Sequence, residues 1–115
     1  MGEGLDRRHA RRQSLDLRVT VHPSGGGRSL GGRSTDISAS GIFVATSDVL
    51  PVGERVNLVI DPGDEGGIVL VAGQVIHVLE GEGLGIALHR PSALARERLD
   101  RLLALRAGRA PTRTR

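Results

Sequence analysis

From Ser14 to Val21 the chain alternates, with Leu15, Leu17, Val19 and Val21 on one side and Asp16, Arg18 and Thr20 on the other. Period two over this length predicts a half-buried strand. Pro23-Ser24-Gly25-Gly26-Gly27 closes it as a turn. A weaker strand is predicted from Arg28 to Ile37, with Gly31-Gly32 as a bulge or kink inside it. Ile42-Phe43-Val44-Ala45 is a short apolar strand, and Leu50-Pro51-Val52-Gly53 a turn. Arg55 to Ile60 alternates again and stops at Asp61-Pro62-Gly63-Asp64. A long apolar strand then runs from Ile68 to Leu79, with a bend expected at Gly73, and Gly81-Glu82-Gly83 turns into Leu84-Gly85-Ile86-Ala87-Leu88. Six short strands at hairpin spacing with glycine at nearly every corner fit a closed antiparallel barrel, which leaves no sheet edge open.

After residue 90 the period changes. Ser92 is a candidate N-cap, and Ala95, Leu99, Leu102 and Leu103 fall on one helical face before Gly108 and Pro111. The expected organisation is a flexible basic arm over 1–13, a barrel over 14–90, a helix over 91–107 lying across an open end of the barrel, and a disordered tail over 108–115. The fold class is mainly β: a small six-stranded antiparallel barrel with one C-terminal α-helix.

Charge refines this picture through its distribution. Residues 1–12 hold four Arg against Glu3 and Asp6, net +2; residues 13–89 hold four Arg against nine acids, net −5; residues 90–115 hold eight Arg against Glu97 and Asp100, net +6. All sixteen cationic residues are Arg, so each carries a planar, bidentate donor set. Phe43 is the only aromatic residue. An acidic body with one ring is a poor oligonucleotide surface, because such surfaces stack bases on several aromatics. There is no cysteine, hence no disulfide and no thiolate metal site. No apolar run approaches the roughly 20 residues needed to span a bilayer. No hydrophobic stretch precedes the arginines, so a cytoplasmic location is expected.

Two elements carry candidate chemistry. The first is Arg7-Arg8-His9-Ala10-Arg11-Arg12; the second is Asp36-Ile37-Ser38-Ala39-Ser40-Gly41. Guanidinium forks bind phosphate and the O6/N7 edge of guanine. A carboxylate at Asp36 accepts from guanine N1–H and its exocyclic amine, and adenine lacks that N1–H. Ser38 can bond a ligand or brace its turn, and Gly41 permits a close backbone approach or a positive φ. Taken singly, an arginine-rich arm reads as a solvated tail, and Asp36 and Gly41 as turn residues. His9, His22, His77 and His89 have no metal-ligand spacing, the acids cluster only in turns, and no nucleophile sits beside a base, so no enzyme and no metal or cofactor are expected.

The order of these parts is specific: a basic Arg-x-x-x-Arg arm, one strand, then Asp-x-Ser-x-x-Gly between the second and third strands of a small barrel that ends in a helix. This resembles the PilZ domain, the family of bacterial receptors for cyclic di-GMP, over roughly residues 7–106. Leu84-Gly85-Ile86-Ala87-Leu88 is similar to the family's closing Gly-x-Gly strand. The resemblance implies a non-catalytic receptor or adaptor binding cyclic di-GMP through Arg8, Arg12, Asp36, Ser38 and Gly41, with Arg7 and Arg11 as secondary candidates. Arg7/Arg11 and Arg8/Arg12 both satisfy the first motif; the distance back from the first strand favours Arg8 and Arg12. Arg7 stands ahead of that pair, as in members that hold two ligands, which leaves one or two per chain open. The resemblance also implies ligand-induced ordering of the arm and an unidentified protein partner. A small nucleic-acid-binding barrel and a degenerate adaptor without nucleotide are the alternatives. Ile76-His77 stands where such barrels commonly carry an aromatic, and Gln13-Ser14 where they carry an apolar-Pro start.

Overall fold

The computed structural model describes residues 17–63 and 67–109. Six strands follow in order: β1 Leu17–Pro23, β2 Leu30–Ile37, β3 Gly41–Ala45, β4 Arg55–Asp61, β5 Val69–Leu79 and β6 Gly83–His89, and then one helix, α1 Ala93–Arg109. All neighbouring pairs are antiparallel, and the order β1-β2-β3-β6-β5-β4 closes on itself through β4 and β1. The expected mainly-β barrel with a C-terminal helix is therefore the observed fold.

Alternation builds the interior. Leu17, Val19 and Val21 of β1, Val56, Leu58 and Ile60 of β4, Val69, Val71 and Val75 of β5, and Leu84 and Ile86 of β6 all point inward and are buried. Branched aliphatic side chains fill it without a single buried ring. Along α1, Ala95, Leu99 and Leu102 recur at helical spacing and join the same buried cluster, with Leu103 packed beside them. The Ser92 hydroxyl accepts from the Ala95 N–H at 3.1 Å, so Ser92 is the N-cap the sequence suggested. Arg98 fastens the helix to the start of β5: its Nη1 donates to the Ile68 carbonyl at 2.6 Å. Its guanidinium lies where a side chain on Gly67 would stand, since a Cβ there would meet Cζ at 2.6 Å.

Three local expectations change. Gly31 and Gly32 pair regularly with Thr20 and Val19, and the irregularity of β2 lies further on, between Arg33 and Asp36. Gly32 is instead a point of close approach, where a Cβ would fall 2.5 Å from the Ala45 carbonyl oxygen. Gly73 continues both ladders of β5 in register, opposite Val56 and Leu88; the break in β5 comes later, between Val75 and His77. Helix α1 runs through Gly108 to Arg109, past a glycine that lowers helix propensity by only about 1 kcal/mol.

Candidate functional site

Two bulges shape the outer face of the barrel. In β2, Leu30 and Ser34 share the inward parity, which continued unbroken would turn Asp36 into the core. Between the pairs Arg33↔Ala45 and Asp36↔Phe43, β2 advances three residues while β3 advances two. The extra residue resets the parity: Asp36 faces out, and Ile37, 2% exposed, faces in. Ser34 holds this bulge. It is the one buried polar residue among those described, and its hydroxyl accepts from the Asp36 N–H and donates to the Asp36 carbonyl, both at 3.2 Å. In β5 the same device operates between Val75↔Ile86 and His77↔Gly85. Ile76, 58% exposed, already faces out by alternation from Val75; the extra residue leaves His77 exposed as well and brings Val78 back against the core.

The β2–β3 turn is built around Ser38. The Ser38 N–H donates to the Gly41 carbonyl at 2.9 Å. The Ser38 hydroxyl accepts from the N–H groups of Ser40 and Gly41 at 3.3 and 3.2 Å. A serine side chain thus supplies the acceptor a tight turn needs. The Ser40 carbonyl accepts from the Leu88 N–H at 2.9 Å, tying the turn to β6. A Cβ on Gly41 would come within 3.2 Å of the Ile86 carbonyl oxygen, so this glycine serves close strand approach.

Asp36, Ser38 and Gly41 then line one shallow cleft of about 240 Å³, together with Ile42, Phe43, Ile76, Gly85 and Ile86. One cross-strand row carries it: Asp36 opposite Phe43, Phe43 opposite Gly85, Gly85 opposite His77. The Phe43 ring lies over Gly83, where a Cβ would meet it at 2.6 Å. Gly83 makes room for the ring, and Gly85 leaves a bare shelf between the ring and the apolar Ile76. The arrangement offers a carboxylate at one end of a flat apolar surface, which suits a planar heterocycle bearing N–H donors.

Three of the sequence-derived site residues are thus brought together. Arg7, Arg8, Arg11 and Arg12 lie outside the described residues. Ser34, Phe43, Ile76 and Gly85 were missed as site residues. A signal existed for Gly85, since alternate glycines in a strand leave one face without side chains; the two bulges have no local sequence mark. Among the described residues no group of three or more His, Cys, Asp or Glu is placed to hold a metal ion. No helix among them is long and apolar enough to cross a membrane.

Comparison with known proteins bears on the same residues. No curated protein sequence matches the chain. Among solved structures, the PilZ domain of CeSA from a cellulose-synthesizing bacterium is similar at 20% identity and a TM-score of 0.61, over 77% of this chain and 90% of that one. The Bacillus subtilis inhibitor of motility MotI/DgrA is similar at 20% identity and a TM-score of 0.66, over 83% of this chain. The match covers 49% of MotI/DgrA, about half its length. At such identities these likenesses speak for the fold. The family model for the PilZ domain matches residues 6–105, which takes in both motifs, all six strands and most of the helix. The chain belongs to the PilZ domain family.

Proposed function

We propose that this chain is a non-catalytic cyclic di-GMP receptor and adaptor, with Arg8, Arg12, Asp36, Ser38 and Gly41 in its site. The observation that carries the reading is the convergence of Asp36, the Ser38 turn and Gly41 on one outward cleft floored by Gly85 and flanked by Phe43 and Ile76. In this scheme the Asp36 carboxylate accepts from N1–H and the exocyclic amine of one guanine, whose face rests on the shelf. Ser38 acts through the turn, because its hydroxyl already accepts two backbone N–H groups. Gly41 acts by letting β3 and β6 approach. The described cleft is too shallow to enclose a dinucleotide, since ligand sites that bury their ligand hold roughly 300–1,000 Å³. The arm supplies the remainder: Arg8 and Arg12 fork onto phosphate and the guanine O6/N7 edge. Binding orders the arm against the barrel, and the new surface is what a protein partner reads.

Calorimetric titration with cyclic di-GMP, set against single-stranded RNA of matched charge, tests this. The reading expects saturable binding of the dinucleotide and none of the RNA. Absence of cyclic di-GMP binding at high micromolar concentration overturns it. Arg8→Ala, Arg12→Ala and Asp36→Ala should each weaken binding strongly while circular dichroism shows a folded barrel.

A further inference from the structure

A second cleft, of about 630 Å³, opens on the same outer face and is lined by Arg55, Leu88, His89 and Arg90. Strand register explains its shape. Gly41, Ala87, Gln74 and Arg55 stand in one row across β3, β6, β5 and β4, and His89 stands opposite Ala72. Ala87 and Ala72 stand beside Gln74 and His89 in these rows, and the Gln74 amide turns away to donate to the Gly53 carbonyl at 3.1 Å. Arg55, His89 and Arg90 are all exposed. None of the three side chains has an ion pair or hydrogen bond among the described residues.

Arg90 adds an independent observation. Six described residues have φ in the left-handed region; five are glycines, and the sixth is Arg90, at +36°. It also directly precedes Pro91, which restricts its backbone further. A non-glycine residue held this way costs about 1–3 kcal/mol, and such residues cluster at ligand-binding and switch sites. Glycine would relieve the strain, and an arginine stands there beside His89.

We propose that Arg55, His89 and Arg90 form a docking cleft for an acidic segment of a partner protein. Guanidinium forks take carboxylates bidentately. The two guanidinium groups and the imidazole come from β4, the β6–α1 link and β6, so one small anion engages only part of the set, whereas an extended run of Glu or Asp reaches all of it. Nucleic acid fits less well, because the only aromatic ring of the chain lies in the other cleft. This inference stands apart from the nucleotide reading and needs none of its residues.

The test uses the full chain and an acetylated octaglutamate peptide, followed by the imidazole resonances of the four histidines. Titration should shift His89 saturably and leave His22 and His77 in place. Arg55→Gln combined with Arg90→Gly should weaken binding at least about tenfold. Arg90→Gly keeps a positive φ accessible, so this variant should melt no lower than the native chain, which separates lost binding from lost fold. Arg96→Gln with Arg101→Gln removes the same charge from the exposed face of α1 and should change affinity less than about twofold. Equal weakening by the two double variants overturns the proposal by reducing the effect to net charge. It is also overturned if His89 does not move, if inorganic phosphate shifts it at the same concentration as the peptide, or if oligo-dT of equal charge binds there more tightly.

Discussion

Replacing Ser34 with Ala tests how the barrel presents its carboxylate. Ser34 is 3% exposed, and its hydroxyl bonds both the N–H and the carbonyl of Asp36 at 3.2 Å. Alanine leaves those two backbone groups without this partner next to the core, where water enters poorly. Leaving a buried donor or acceptor unsatisfied costs about 1–3 kcal/mol; here the Asp36 backbone is part-buried, so about 1–2 kcal/mol is expected. For a domain of this size that lowers the melting temperature by roughly 4–8 °C per kcal/mol. Ser38→Ala is the matched control. It removes a hydroxyl with three backbone contacts rather than two, but on an exposed turn where water replaces them, so its cost should stay below about 0.5–1 kcal/mol. Thermal melts followed by circular dichroism read both values. The bulge held by Ser34 also sets the parity that turns Asp36 outward, so Ser34→Ala should weaken cyclic di-GMP well below its melting point. If Ser34→Ala melts no lower than Ser38→Ala, or binds with native affinity, the account of the bulge is wrong.

Four further outcomes are expected. Gly85→Leu should leave the barrel folded, since only His77 must yield, yet fill the shelf and abolish dinucleotide binding by calorimetry. Leu99→Ala removes a side chain buried at 1% exposure and should cost about 2–5 kcal/mol by denaturant unfolding. Arg8→Ala and Arg12→Ala should each reduce binding more than Arg7→Ala and Arg11→Ala; the opposite ranking would move the motif by one residue. Arg7 adds a guanidinium able to offset crowded phosphates and stack on purine, so titration should give about two ligands per chain, falling to about one in Arg7→Leu.

Much of this molecule is legible in its sequence, for a physical reason. The strands that alternate cleanly, β1 and β4, are those whose register is uninterrupted, so the pattern of Leu17, Val19, Val21 and of Val56, Leu58, Ile60 is the pattern of burial. Helix α1 was readable from Ser92 and the 95–99–102 spacing because cap and stripe are local signals. The bulges were not readable, since each depends on how two strands divide an odd residue between them. Gly31-Gly32 carries the sequence signal for irregularity, while the break lies between Arg33 and Asp36, around Ser34, a residue with no turn signature. The same limit hid His77, which alternation from Val75 would turn into the core and the register shift leaves outside beside Ile76. Asp36, Ser38 and Gly41 were found because motif spacing fixes them on one hairpin. The shelf they border comes from β5 and β6, some 35–50 residues away.

In the proposed receptor, the arm arginines and the Asp36 cleft close on the same bound nucleotide. A chain without cysteine accepts a single spin label at Gln13→Cys, beside the arginine motif. Paramagnetic relaxation of backbone amides, recorded with and without cyclic di-GMP, then reports whether the arm reaches the cleft. Cyclic di-GMP should bring selective broadening of Ile76 and Gly85, with amide shifts centred on Asp36, Ser38 and Gly41, and both should vanish in Asp36→Ala. Ligand binding with shifts elsewhere on the barrel, or with no broadening at Ile76 and Gly85, would contradict the proposal.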